Sequence, residues 1–184
     1  MFMSEIASEL DPKPRRFRIQ QPAPQPVKTE EILPKRPQSK KRGVQRVIGL
    51  GPMGRVTTSF GEVYSQALRK GDLVRTRDGR LAPITRVRHV KLDADFLSYH
   101  PGVQPLVIPA RSLNGKVPQT DLKVAPHQRI SGGQTFSGAE GVLAVDLLGR
   151  GRAMRLTESL FTYTILEFDR PVSISLEGIW VDVG

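Results

Sequence analysis

Apolar residues follow two regimes along this chain. Before residue 47 they are scattered among prolines and charges, and from Val47 onward they come in short runs separated by turn residues. Near the C-terminus Val172, Ile174 and Leu176 alternate with Ser173 and Ser175, and Ile179, Val181 and Val183 alternate with Trp180 and Asp182. A period of two places each apolar set on one side of a strand, so these stretches predict two strands with one buried face each. "FTYTILEF" predicts another, with Phe161, Tyr163 and Ile165 on a common face. "DLVRTRDGRLAPITRV" reads as two strands around Asp78-Gly79, a dipeptide suited to a hairpin turn. Turn residues recur at Asn114-Gly115, Gly132-Gly133, Gly149 to Gly151 and Arg170-Pro171, and no amphipathic helix of ten residues follows about residue 70. The expectation for residues 47–184 is an all-β body of many short strands.

The first 46 residues are different. Residues 11–43 carry seven prolines among charges, Gln and Ser, a composition that buries too little apolar surface to offset the entropy of ordering. We expect a disordered or extended basic, Pro-rich tail over 1–46. "SEIASEL" predicts one or two helical turns that need a partner to persist.

Charge sharpens this division. Lys and Arg number 28 against 18 Asp and Glu, a formal net charge of +10. Residues 1–46 hold eleven of the basic and five of the acidic residues, a net +6, which leaves the body at +4. Arg15, Arg16, Arg18, Lys40, Lys41 and Arg42 are therefore candidates for contact with a nucleic acid or another anionic surface. Phe17 alone is interleaved with them, which limits stacking on bases. The absence of cysteine excludes disulfides, thiolate metal sites and cysteine nucleophiles. No run approaches the roughly 18 apolar residues of a membrane helix, and "MFMSEIASEL" lacks the order of a signal peptide; the location expected from sequence is the cytoplasm.

Gly49, Gly51 and Gly54 in "VIGLGPMG" spell G-x-G-x-x-G, and Asp78 follows Gly54 by 24 residues, as in a dinucleotide-binding loop. Such a loop needs a helix directly behind it, and "RVTTSFGEV" offers β-branched residues and glycine instead. The glycines are read as the lead into the first body strand. His89, His100 and His127 match no compact metal spacing, and no G-x-S-x-G elbow places a nucleophilic serine. His89 and His100 are expected in solvated or hydrogen-bonded roles, and no cofactor is expected.

Taken in order, "GRVTTSFGEVYSQALRKGDLVRTRDGRLAPITRV", "PLVIPARSLNGKVPQTDLKVAPHQRI", "GVLAVDLL" and "FTYTILEFDRPVSISLEGIWVDV" resemble the blocks of a bacterial Hint (hedgehog/intein) domain over residues 49–184. The resemblance implies a horseshoe of short interleaved hairpins, no cofactor, and self-processing chemistry. In that chemistry a cysteine at the first strand attacks the preceding carbonyl, and a histidine helps protonate the leaving amide nitrogen. Carried over residue by residue, the nucleophile falls at about Gly49, and no Cys, Ser or Thr lies between Ser39 and Thr57. The family's Ser-Pro-x-His-Arg reads Ala125-Pro126-His127-Gln128-Arg129; read as a strand, the shift by one residue turns His127 to the opposite face. Later family histidines fall near Thr164 and Pro171, and the sole asparagine, Asn114, is in a turn.

The resulting expectation is a Hint-like domain without catalysis, a pseudoenzyme serving as a protein-binding or structural module tethered by its tail, with another protein as partner. One alternative is autocleavage with an unorthodox nucleophile such as Thr57, Thr58 or Ser59. The other is a nucleic-acid or anionic-surface binder acting through the tail.

Overall fold

The computed structural model describes residues 46–131 and 141–184, with Ser131 described by its backbone alone. The short N-terminal helix, Arg15, Arg16, Arg18, Lys40, Lys41, Arg42 and the Gly132-Gly133 turn lie outside the described residues.

In chain order the strands are β1 (Arg55–Thr58), β2 (Gly61–Tyr64), β3 (Leu73–Arg75), β4 (Leu81–Pro83), β5 (Arg86–Leu92), β6 (Leu106–Ile108), β7 (Leu122–Val124), β8 (Arg129–Ser131), β9 (Val142–Leu143), β10 (Met154–Arg155), β11 (Phe161–Glu167), β12 (Val172–Leu176) and β13 (Ile179–Val183). One α-helix among the described residues, α1 (Ala94–Tyr99), is N-capped by Asp93, whose carboxylate accepts from the Phe96 N–H at 2.9 Å. The largest sheet has the order β4-β3-β1-β12-β13-β8-β9, with β2 also on β1. A second sheet has the order β10-β6-β7, and β11 pairs with β5. All of these pairings are antiparallel. The body is all-β, as the apolar pattern predicts.

The C-terminal alternation works as expected. Val172 faces Val183, Ile174 faces Val181 and Leu176 faces Ile179, and Ile174, Leu176 and Val181 are fully buried. Strand β11 departs from simple alternation. Phe161 and Tyr163 are buried on one side with Leu97, Val103 and Ala125, while Leu166 is buried in the main core on the other. Ile165 shares the Tyr163 face but is only half-buried, and Thr164 is fully buried. The reason is position: β11 lies between two apolar clusters, so both of its faces are covered.

Two turns show how local chemistry sets the hairpins. Between β3 and β4, Gly79 adopts φ +81°, the Thr76 N–H donates to the Arg80 carbonyl at 2.9 Å, and the Asp78 carboxylate accepts from the Thr76 hydroxyl and the Arg80 N–H. The Thr76 hydroxyl, with the Arg80 N–H behind it, holds the Asp78 carboxyl below its usual range. Between β12 and β13 a non-glycine, Glu177, takes φ +49°. Its side chain is closed to solvent and is gripped by the Arg55 guanidinium at 2.9 Å and the Arg55 N–H at 3.0 Å, so the first strand pins the last hairpin. Burial pushes the Glu177 carboxyl up, and the bonds from Arg55 overcome this and hold it below the ordinary carboxylate value.

Candidate functional site

The segment Val47–Gly51 runs between the end of β7 and the middle of β11. On one edge the Gly51 N–H donates to the Lys123 carbonyl at 2.8 Å, the Ala125 N–H to the Gly49 carbonyl at 3.0 Å, and the His127 N–H to the Val47 carbonyl at 3.2 Å. On the other, Leu50 and Thr164 exchange N–H to carbonyl bonds at 2.9 Å each way. The chain is laced on both sides, with Leu50 buried between them.

This lacing explains the glycine spacing. A Cβ on Gly51 would lie 2.5 Å from the Lys123 carbonyl oxygen; one on Gly54 would lie 3.0 Å and 3.1 Å from methyls of Leu176 and Leu122. At Gly49, with φ +148°, a Cβ would meet the Tyr163 Cβ at 3.0 Å. The element that follows is β1 rather than a helix, and Asp78 sits in the β3–β4 turn. Tight packing, against backbone at Gly51 and against side chains at Gly49 and Gly54, accounts for the G-x-G-x-x-G pattern, and no helix N-terminus stands behind it to hold a phosphate.

Gln128 organises the corner. It is buried, its amide oxygen accepts from the Gly49 N–H at 3.2 Å, and its NH₂ donates to the Asp182 carbonyl at 2.7 Å and to the Arg129 carbonyl at 3.2 Å. One side chain thus ties the first segment to β8 and β13. Ala125 and Thr164 are fully buried beside it, and the Thr164 hydroxyl lies 3.3 Å from His89 Nδ1 across the β5–β11 ladder. The structure therefore brings Gly49, Ala125, Gln128 and Thr164 together. Exposed Pro171 stands at the rim against Gly184, whose Cβ, if present, would lie 2.7 Å from the Pro171 Cα. The cavity left beside Gly49 is about 10 Å³, the space of one water at most.

His127 occupies a turn between β7 and β8, not a strand, so alternation of faces does not set its direction. It is half-buried and lines an open groove of about 710 Å³, and its Nδ1 is shut off from solvent without a hydrogen-bond partner. His89 is exposed on β5, and His100 ends α1 with its ring centroid 4.5 Å from that of Phe96. Among the described residues no group of three His, Cys, Asp or Glu is placed to hold a metal ion, and no helix is long and apolar enough to cross a membrane.

The family model of the Hint domain matches residues 50–183. The chain belongs to the Hint-domain family. Among solved structures, the gp41-1 intein is similar over 75% of this chain and 99% of its own, at 11% identity and a TM-score of 0.46. The MchDnaB-1 intein is similar over 73% of this chain and 99% of its own, at 12% identity and a TM-score of 0.46. No curated protein matches the sequence.

In this Hint domain, the corner to which the family resemblance assigns a nucleophile holds Gly49, and the histidine position of the second block holds Gln128. A glutamine amide orients groups through hydrogen bonds but does not titrate, so it holds the Gly49 N–H without offering proton transfer. The role of Gln128 escaped the sequence reading, which marked the position only as a departure. The available signal was chemical: a side chain with one acceptor and two donors at a point where three strands converge.

Proposed function

We propose that this Hint domain is a non-catalytic module that binds another protein or holds a structural position, with residues 1–46 as its tether. The observation that carries the reading is Gly49. An acyl shift requires a side-chain nucleophile next to the scissile carbonyl, and the segment around Gly49 holds no Cys, Ser or Thr between Ser39 and Thr57. The packing adds support: Tyr163 abuts Gly49, Gln128 occupies its N–H, and the residual space admits no substrate group.

Two of the three hydroxyls considered as replacements have other duties. Thr57 bonds to Ser175 across the sheet at 3.2 Å, and Thr58 closes the β1–β2 turn by donating to the Gly61 carbonyl at 2.8 Å. Intact-mass measurement of the full chain after expression and prolonged incubation tests the proposal. The expected result is a single species of full length; two fragments joining near Gly49 or within Thr57 to Ser59 would replace this reading with autocleavage. Retention on a polyanion column that disappears when Arg15, Arg16 and Arg18 are changed to glutamate would instead favour a nucleic-acid role for the tail.

A further inference from the structure

The open groove beside the corner is built differently from the corner itself. Its wall combines the apolar side chains of Ile48, Leu143 and Val145 with Arg46, Arg129 and the His127 ring. Ile48 is a large apolar residue left 44% exposed at this place. Arg129 donates one N–H to the Gly141 carbonyl at 2.8 Å, which orients its guanidinium and leaves further donors. The acidic group of the groove, Asp182, accepts the Ser173 hydroxyl, so part of its hydrogen-bonding capacity is already used. His127 contributes its half-buried ring to the wall, with Nδ1 turned away from solvent.

Shape and charge together select an occupant. A groove open to solvent, whose lining mixes cations with apolar side chains, suits an extended peptide whose side chains alternate between the two better than it suits an enclosed small molecule. Leu143 belongs to β9, which ends the large sheet and pairs on one edge with β8. On the other edge the Leu143 N–H is already held by the Asp146 carboxylate at 3.3 Å and the Gly141 carbonyl by Arg129, so the groove offers side chains and not main-chain pairing. The two arginines select carboxylates.

We infer that the groove between Arg46, Ile48, His127, Arg129, Leu143 and Val145 docks an extended peptide of a partner protein that alternates acidic and apolar residues. This rests on the protein-binding reading above and names the chemistry of the partner.

The test is fluorescence anisotropy of a fluorescein-labelled peptide of Glu-Leu repeated four times, titrated with the full chain at about 150 mM salt, where attraction between exposed charges more than about 8 Å apart is largely screened. A Lys-Leu peptide of equal length is the control. The expected result is saturable binding of the acidic peptide alone, weakened about tenfold or more by Ile48→Glu and by Arg129→Glu and unchanged by Lys40→Glu, Lys41→Glu and Arg42→Glu together. Melting curves confirm that each variant is folded; Ile48→Glu leaves the Arg129 to Gly141 bond intact, so the two report independently. The inference is overturned if both peptides bind alike, if neither groove variant matters, if the tail variant abolishes binding, or if hexanoate competes as well as the unlabelled peptide. A chain found cut near Gly49 defeats the non-catalytic reading whatever the groove binds. An intact chain that ignores the peptide defeats only this inference.

Discussion

Two sets of glycines separate the site corner from the open hairpins. At Gly51 and Gly54 the neighbouring atoms press against the place where a Cβ would stand, and the packing requires the missing side chain. At Gly61, Gly71, Gly79 and Gly115 nothing lies within 4 Å, and the requirement is a positive φ, between +74° and +106°. Gly49 combines both conditions. The same residue type therefore signals a closed, laced corner in one region and a turn in the other. A glycine motif is informative only with the element that follows it, and here that element is a strand.

The strongest way to break this distinction is Gly51→Ala. The new methyl would meet backbone at the Lys123 carbonyl, which cannot rotate away, so the variant should lose about 4 kcal/mol. Urea denaturation with an unchanged m value checks this. A loss below about 1 kcal/mol would mean that the corner is loose.

Gln128→Ala should follow at about 3 kcal/mol, since it strands the buried Gly49 N–H and leaves a cavity. Amide hydrogen exchange should accelerate at Gly49 and hardly at all in the β3–β4 hairpin; equal acceleration in both would show that Gln128 holds nothing local.

Glu177→Gln sharpens the comparison at a turn where a non-glycine residue, Glu177, takes positive φ beside Gly178. With Arg55 partly exposed, the loss should be about 2 kcal/mol at neutral pH. The folded-state pKa of Glu177 is depressed, so its contribution is present above the unfolded carboxylate value of about 4.3 and is lost as pH falls through the folded value. The gap between native chain and variant should narrow in acid; a gap constant from pH 7 to 3 would assign the effect to packing alone.

The smallest effect belongs to Gly79→Ala. With open space around it, only the φ of +81° resists, and about 1 kcal/mol is expected. Thermal melting would detect a shift of a few degrees, and a shift as large as that of Gly51→Ala would erase the distinction between the two glycine sets.

What could be read in advance follows from the range of the interactions. The β12–β13 pair was legible because Val172 to Val183 carries its own alternation and each strand buries one face. Strand β11 was misjudged in detail because its second covered face comes from a cluster elsewhere in the chain. Among the site positions, Gly49 was identifiable by counting from sequence blocks. The bonds of Gln128 were not, since its partners Gly49 and Asp182 are 79 and 54 residues away. His127 was placed on a strand, although Pro126 beside it favours the turn that forms.

By itself the amino-acid order determined the all-β body, the hairpin at Asp78-Gly79 and the lack of a nucleophilic side chain at the start of the first strand. These are properties of neighbouring residues, set by side-chain period, backbone freedom and chemical identity. Only the tertiary structure decided that Gln128 closes the corner over Gly49, that Glu177 is clamped by Arg55 and that a groove with two arginines lies alongside. Each of these depends on groups brought together from distant parts of the chain, where packing and hydrogen bonding, not local propensity, select the partners.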